Sequence, residues 1–311
     1  MVSVIVIGRN EGERLTACLE SVRDSLGPLK HEVLYIDSRS TDDSVSRALR
    51  CGARVYRLQE KDTTAGLGRL VGARLAGGDW LLFLDGDMRL QPGFVQAALS
   101  ACFQKGYDGV CGIRTDEFYK DGRCVGTHEN AFGCTSERRC PEFGGALFIS
   151  ADALSACGSW SAEPIACEEA ELHARLLADD RFIAELPVPM ILHTDTLRDS
   201  RGLAGILFSP RRLGDGQALR SAADKHKAMA YLRFERRKFA FAALDLLCVV
   251  ALFTGGIGIA AISLLQCFQI GFFASRRQLR AFVSQKLFFF ALVPGLLSWK
   301  RRDERYEEVN S

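Results

Sequence analysis

The chain has 311 residues, 48% of them hydrophobic, and a formal net charge of +2. That length suits one large domain or two smaller ones with a substantial core, and the near-neutral balance gives no global pull toward nucleic acid. The 11 cysteines are odd in number and form no Cys-x-x-Cys pair. Cys124, Cys134 and Cys140 lack zinc-finger spacing, so the set reads as reduced thiols in a cytosolic domain.

Residues 2–7 form an apolar run that passes directly into Arg9-Asn10-Glu11. With no basic leader it is a first strand and not a signal peptide. Residues 13–25 carry Leu15, Leu19 and Val22 at helical spacing, and Gly27-Pro28 stops the helix. A second strand over 31–36 ends in Asp37. The cap-rich segment 38–43 leads into a helix through Leu49. Residues 53–58 are a third strand, 62–78 a glycine-rich and partly helical stretch, and 80–84 a fourth strand. This alternation predicts a mainly parallel α/β sheet with right-handed crossovers. A helix over 92–103 and a strand over 108–113 follow. Residues 114–142 are polar and irregular, a loop or small hairpin over the sheet. Gly144-Gly145 opens a strand, helices follow from 152 and over 167–177, and a strand over 182–193 is broken by Pro187 and Pro189.

Residues 211–238 are basic, with Arg211, Arg212, Arg220, Arg236, Arg237 and Lys238 among them. Residues 239–273 then run for roughly 35 positions with only Asp245 charged, longer than the ~20 needed for one helical span. Basic flanks on both sides favour a helical hairpin turning at Gly255-Gly256-Ile257-Gly258. One long tilted span and a buried helix pair are the alternatives. Residues 287–299 contain Pro294 and read as an interfacial or spanning segment. The expected organisation is a catalytic domain over 1–215, a basic juxtamembrane segment over 216–238, a membrane region with C-terminal transmembrane helices over 239–299, and a charged tail over 300–311.

The chemistry centres on residues 80–88. Five apolar residues read as a strand buried on both faces, and it ends in Asp85-Gly86-Asp87. In open parallel sheets ligands sit at the carboxyl ends of the strands. Two carboxylates there can hold a divalent cation that a phosphate also touches, or can simply make a polar turn. Glu168-Glu169 opens a helix, with Glu169, Leu172 and Leu176 on one face. The pair is either catalytic or a favourable set of acids at a helix N-terminus.

Several stretches occur together in order: Ser3-Val4-Ile5-Val6 with Arg9-Asn10-Glu11, Asp37 in Tyr35-Ile36-Asp37-Ser38, the Gly-rich helix, Phe83-Leu84-Asp85-Gly86-Asp87, Gly144-Gly145 and Glu168-Glu169. Over roughly residues 1–215 the chain resembles the family 2 inverting glycosyltransferases of the membrane-anchored bacterial type. The resemblance implies a GT-A fold, Rossmann-like, and sugar transfer from a nucleotide-diphosphate sugar with inversion. It implies Mg²⁺ or Mn²⁺ at Asp85 and Asp87, with His193 completing the metal site as in some relatives, and the nucleotide base near Asp37; read from the residues alone, Asp37 also suits a helix cap and His193 a structural role. Contacts to the donor are expected from Arg9, Asn10, Glu11, Arg69, Asp85, Gly86, Gly144 and Gly145. Arg211 and Arg212 lie on a basic, glycine-hinged loop that either closes over the diphosphate or attracts anionic lipid. The family's base is the second acid of a Glu-Asp pair, which falls on Glu169, with Glu168 able to exchange roles. In Gly68-Arg69-Leu70, Leu70 stands where the family often has Asn. The expected protein is a hexosyltransferase at the inner membrane, its catalytic domain facing the cytosol. It would use a lipid-linked or polysaccharide acceptor in cell-envelope glycan synthesis, with no nucleic-acid partner. The alternative is a membrane-tethered, non-catalytic nucleotide-sugar-binding protein.

Overall fold

Val2–Gly8 forms β1, and its neighbours β2 (His31–Asp37) and β4 (Trp80–Asp85) run parallel to it. Gly8 pairs with Asp37 and Ile7 with Asp85, so the three strands deliver their terminal acids and loops to one edge. β1 and the Leu81–Leu84 stretch are buried because both faces of this part of the sheet are covered. A computed structural model describes residues 1–196, 209–251, 256–275 and 279–310. The chain divides into two units: Met1–Glu163, Glu168–Arg201 and Lys300–Ser311 make the first, and Pro164–Cys167 and Gly202–Trp299 the second.

In the first unit, β3 (Arg54–Leu58) lies parallel to β2. On the other side β9 (Leu147–Ser150) runs antiparallel to β4 and to β6 (Gly109–Lys120). β10 (Ile183–Thr196) is parallel to β6, and β5 (Met88–Leu90) pairs antiparallel with β10. Residues 114–142 prove to be a continuation of β6 that turns back as β7 (Arg123–His128), plus β8 (Arg138–Arg139) against β10. The charged tail forms β11 (Tyr306–Val309), antiparallel to β3 at the sheet edge.

Helices α1 (Glu13–Leu26), α2 (Ser44–Arg50), α3 (Ala65–Leu75), α4 (Phe94–Lys105), α5 (Ala151–Ala156) and α6 (Glu168–Ala178) complete this α/β unit. α1 buries Leu15, Cys18, Leu19, Val22 and Leu26, a helical stripe worth about 1.5–3 kcal/mol per large side chain. α3 lies so close to the sheet that a Cβ on Gly72 would collide with Ile5 Cγ2. The glycines of α3 therefore serve helix-to-sheet contact and set the depth at which Arg69 sits.

The second unit holds a 3₁₀ turn (Pro210–Leu213) and helices α7 (Gly214–Asp224), α8 (Ala228–Phe234), α9 (Arg236–Ala251), α10 (Gly256–Ser275) and α11 (Leu279–Ser298). Gln217 of α7 donates to Ser298 Oγ at 3.2 Å, and Trp299 Nε1 donates to Ser221 Oγ at 2.8 Å.

The expected C-terminal transmembrane helices are corrected here: no helix among the described residues is long and apolar enough to cross a membrane. The apolar run 239–273 is divided between α9 and α10. At 16 residues, α9 rises only ~24 Å, short of a ~30 Å hydrocarbon core. Its Asp245 is buried and accepts from Gln269 of α10 at 3.0 Å and from Lys286 of α11. Polar groups thus hold the three helices together. Of the glycines expected to turn the hairpin, Gly255 lies outside the described residues, while Gly256, Ile257 and Gly258 open α10.

Candidate active site

Arg69 is the hub. It projects from α3, is 1% exposed, and stacks over the Trp160 ring with its guanidinium carbon 5.0 Å from the centroid. One nitrogen, Nη2, donates to Asp85 Oδ1 at 2.9 Å; the other, Nη1, donates to Glu168 Oε1 at 2.9 Å and Glu169 Oε1 at 3.2 Å. The planar fork of arginine suits this division. It ties the acid that ends β4 to the two acids that open α6. Glu168 is buried, whereas the Glu169 side chain remains 26% exposed. Burial first, then the adjacent Glu169 charge, raise the Glu168 carboxyl above its ordinary value against the pull of Arg69. Asp85 is likewise raised by burial, with Arg69 opposing and Asp87 adding.

Asp87 faces the other way. His193 reaches it because β10 pairs with β5 in a register that sets His193 opposite Met88. His193 Nε2 lies 3.5 Å from Asp87 Oδ2, and Nδ1 lies 2.9 Å from both Asp116 Oδ1 and Arg114 Nη2. Burial alone would lower the imidazole, but the hydrogen bonds and charges of Asp87 and Asp116 outweigh it and hold its pKa above the ordinary value. Asp87 Oδ1 is buried with no hydrogen-bond partner. An orphaned carboxylate oxygen beside an imidazole nitrogen is a donor pair whose chemistry fits Mg²⁺ or Mn²⁺. The expected set of Asp85, Asp87 and His193 is not brought together as three ligands, since Asp85 is held by Arg69. Among the described residues no three His, Cys, Asp or Glu side chains converge in that way.

Glu11 closes the acidic side. It pairs with Arg14 at 2.7 Å, and Gly86 packs on its side chain while donating its N–H to Ile7 O at 2.8 Å. Burial, followed by the charge of Asp87, pushes the Glu11 carboxyl up to about 7. This folded value lies above the ordinary 4.5. The group's contribution to stability is therefore present below that value and is lost as pH rises through about 7. Glu11→Gln removes the loss: the expected result is a thermal midpoint that falls less between about pH 5 and about pH 8 than in the wild type, read by a melting series.

The glycine pair closes in from β9. Gly145 has φ +71, and a Cβ there would stand 2.6 Å from Asp85 Oδ2 and 3.2 Å from Arg69 Nη2. Both the backbone conformation and the space demand glycine. Gly145→Ala is expected to cost about 1–3 kcal/mol, seen as a lowered denaturation midpoint, and to displace the Arg69–Asp85 pair. Gly144 lies against Arg114 and Phe132.

The remaining expected residues make the following contacts. Arg9 and Asn10 are exposed at the end of β1. Asn10, at φ 58, donates its N–H to Ser40 Oγ at 2.9 Å and accepts from Thr41 N at 2.8 Å, tying the first loop to the second. Asp37 is fully buried and already accepts from Arg57 Nε, the Ser40 N–H and Tyr35 Oη, so its carboxylate pins the loop after β2. It is not the cap of α2, whose N-cap is Asp43. Arg211 and Arg212 belong to the 3₁₀ turn of the second unit. Three residues of the first unit were missed. Arg114 and Asp116 alternate along β6 and so share a face, a signal lost when the segment after 113 is read as a loop. Trp160 offers no sequence signal beyond being aromatic.

The profile of the family described as Glycosyl transferase family 2 matches residues 3–161. Glucosyl-3-phosphoglycerate synthase of Mycolicibacterium smegmatis is 34% identical over 93 residues, covering 28% of this chain and 31% of that protein. The protein of the same name from Mycobacterium tuberculosis H37Rv is 37% identical over 97 residues, covering 28% and 29%. The chain thus spans about a third of the length of these curated relatives. Among solved structures, S. aureus TarS 1–349 in complex with UDP-GlcNAc is similar with a TM-score of 0.58 at 16% identity, over 94% of this chain and 90% of that one. Mannosyltransferase PcManGT from Pyrobaculum calidifontis, in complex with GDP-Man and Mn²⁺, gives 0.59 at 16% identity over 96% and 87%. At that identity the two structures support the fold.

Proposed function

The chain belongs to glycosyl transferase family 2, and from that premise we propose that it moves a hexose-type sugar, with inversion, from a nucleotide-diphosphate sugar to an acceptor hydroxyl. The observation that carries this reading is the single buried guanidinium of Arg69 holding Asp85, Glu168 and Glu169 at 2.9, 2.9 and 3.2 Å. It joins the acid at the end of β4 to a partly exposed acid on a separate helix.

Inverting transfer needs a base that accepts the acceptor's proton as its oxygen attacks the anomeric carbon. Glu169 fills that role: it is the more exposed of the pair, and Arg69 fixes its carboxylate while leaving part of it open. Glu168, buried, anchors Arg69. Asp87 and His193 are the residues that would hold Mg²⁺ or Mn²⁺. When bound, the cation would neutralise the charge that develops on the leaving diphosphate. Gly144 and Gly145 let backbone approach the donor side of Asp85.

We take the acceptor to be a lipid-linked or glycan hydroxyl, met at the cytosolic face of the membrane in cell-envelope glycan synthesis. The support is the apolar, basic-flanked character of residues 211–299. A thermal-shift screen of UDP, GDP and dTDP sugars with Mn²⁺ tests the donor site. A shift with one nucleotide class, lost in Asp87→Ala, supports the reading. No shift with any of them contradicts it. Product analysis with a lipid-linked glycan and with 3-phosphoglycerate side by side then separates a lipid or glycan acceptor from a small phosphorylated one.

A further inference from the structure

The three long helices of the second unit are built inside out. Their interior is polar: Asp245 of α9, Gln269 of α10 and Gln285 of α11 are buried, and Lys286 reaches both Asp245 and Gln269. Their outer faces are apolar. Leu246, Leu247, Val249 and Val250 of α9 are exposed, as are Leu264 and Phe268 of α10 and Phe290, Val293 and Leu297 of α11. Leu297 reaches 81% and Leu264 73%. On α11 the spacing is helical. Gln285 and Phe288 are buried, and Gly295 packs against Gly216 of α7, while Val283, Phe290, Val293 and Leu297 line the opposite face. An apolar surface of this extent in water marks something that covers it.

Charge says what the cover is. Phe241 near the start of α9 packs on Phe272 and Phe273 near the end of α10, and Phe273 packs on Phe282 near the start of α11. The three helices therefore run antiparallel in turn, with the basic start of α9, Arg236-Arg237-Lys238, at that shared end. The outward apolar residues of α9, Leu246 to Val250, lie beyond it, about two to four turns further along the helix. A basic end followed by an apolar flank without charge matches the order of a bilayer, headgroups first and hydrocarbon next. At the same end a cavity of about 810 Å³ is lined by Arg237, Lys238, Phe241, Phe272 and Phe288, and by Phe268, which also belongs to the exposed face. Lys238 in this lining is ion-paired with Asp215 and Glu235, so it is the exposed Arg237, above phenylalanine walls, that suits an anionic headgroup and its chain.

We propose that the outer faces of α9, α10 and α11 dock on an anionic lipid surface. Arg236 and Arg237 sit at the headgroups and the apolar side chains enter a single leaflet without crossing it. The helix length supports entry without passage, because the uncharged part of α9 beyond Asp245 is under two turns long. This binding does not depend on sugar transfer, so its failure and the failure of the catalytic reading are separately visible.

The test is flotation of the full chain with vesicles of phosphatidylcholine alone and of phosphatidylcholine mixed with phosphatidylglycerol, beside light scattering without vesicles. The expected result is co-flotation with the mixed vesicles. It should weaken in high salt and in Arg236→Glu/Arg237→Glu, and fall by at least about tenfold in Leu247→Glu/Val250→Glu. These positions are solvent-exposed, so unchanged melting of the variants serves as the folding control. Absence of flotation with either vesicle overturns the proposal. So does a stable dimer that Leu247→Glu/Val250→Glu dissolves, which would assign the face to a second copy of the chain. Equal binding to neutral vesicles, insensitive to salt, overturns the headgroup role of the arginines.

Discussion

Arg69→Met is expected to lower turnover by at least about a hundredfold and to destabilise the α/β unit by about 3–5 kcal/mol, the range for removing one partner of a buried charge cluster. Asp85, Glu168 and Glu169 all take hydrogen bonds from this guanidinium. Without it, three carboxylates face each other in a partly dry site, and the raised pKa of Glu168 and Asp85 already shows how that environment treats negative charge. At roughly 2–4 °C per kcal/mol for a unit of this size, the melting midpoint should fall by about 10 °C. Arg69→Lys should rescue little. One ammonium cannot reach acids on two sides of the planar fork, and it loses the stack on Trp160. Circular dichroism melts and nucleoside-diphosphate release read the two effects independently.

Glu169→Gln separates chemistry from architecture. The amide keeps the shape and can still face Arg69, but it cannot take a proton. The expected outcome is a kcat reduced about 10²–10⁴-fold, with donor affinity and melting midpoint close to wild type. Glu168→Gln should act on stability more than on kcat, because Glu168 is buried behind its neighbour. A kcat loss larger for Glu168→Gln than for Glu169→Gln would exchange the two assignments.

The carboxyl edge of the sheet was legible in the sequence because local signals agree there. Apolar runs of four and five residues end in Asp37 and Asp85, and each is followed by turn or cap residues. Parallel register does the rest, setting Gly8 beside Asp37 and Ile7 beside Asp85. What could not be read was the partnership among acids distant in the chain. Arg69 and Glu168 are 99 residues apart and His193 and Asp116 are 77 apart, and no periodicity reports such a meeting. The role of Asp37 was blurred for a related reason. A cap, a ligand contact and a buried anchor all call for a carboxylate after a strand, and the ion pair with Arg57 of the next strand leaves no trace in the local pattern.

The apolar run after residue 238 failed in a more instructive way. Hydropathy counts side chains without their direction. Asp245, Gln266, Gln269, Gln285 and Lys286 are few in the sequence, yet they are concentrated between the helices. The same composition that suggests a span therefore describes three helices with a polar seam and an apolar exterior. β11 was invisible for the opposite reason: Tyr306–Val309 reads as charged tail, and its pairing with β3 comes from the edge it covers.

The most direct measurement of the central claim is nucleoside-diphosphate release by the full chain from UDP, GDP and dTDP sugars. Mn²⁺ and a lipid-linked acceptor should be present, with Glu169→Gln and Asp87→Ala in parallel. The account predicts acceptor-dependent release from one nucleotide class, abolished in Glu169→Gln without loss of donor binding, and abolished in Asp87→Ala together with the Mn²⁺-dependent thermal shift. Donor binding without release from any sugar, or wild-type release by Glu169→Gln, would contradict it.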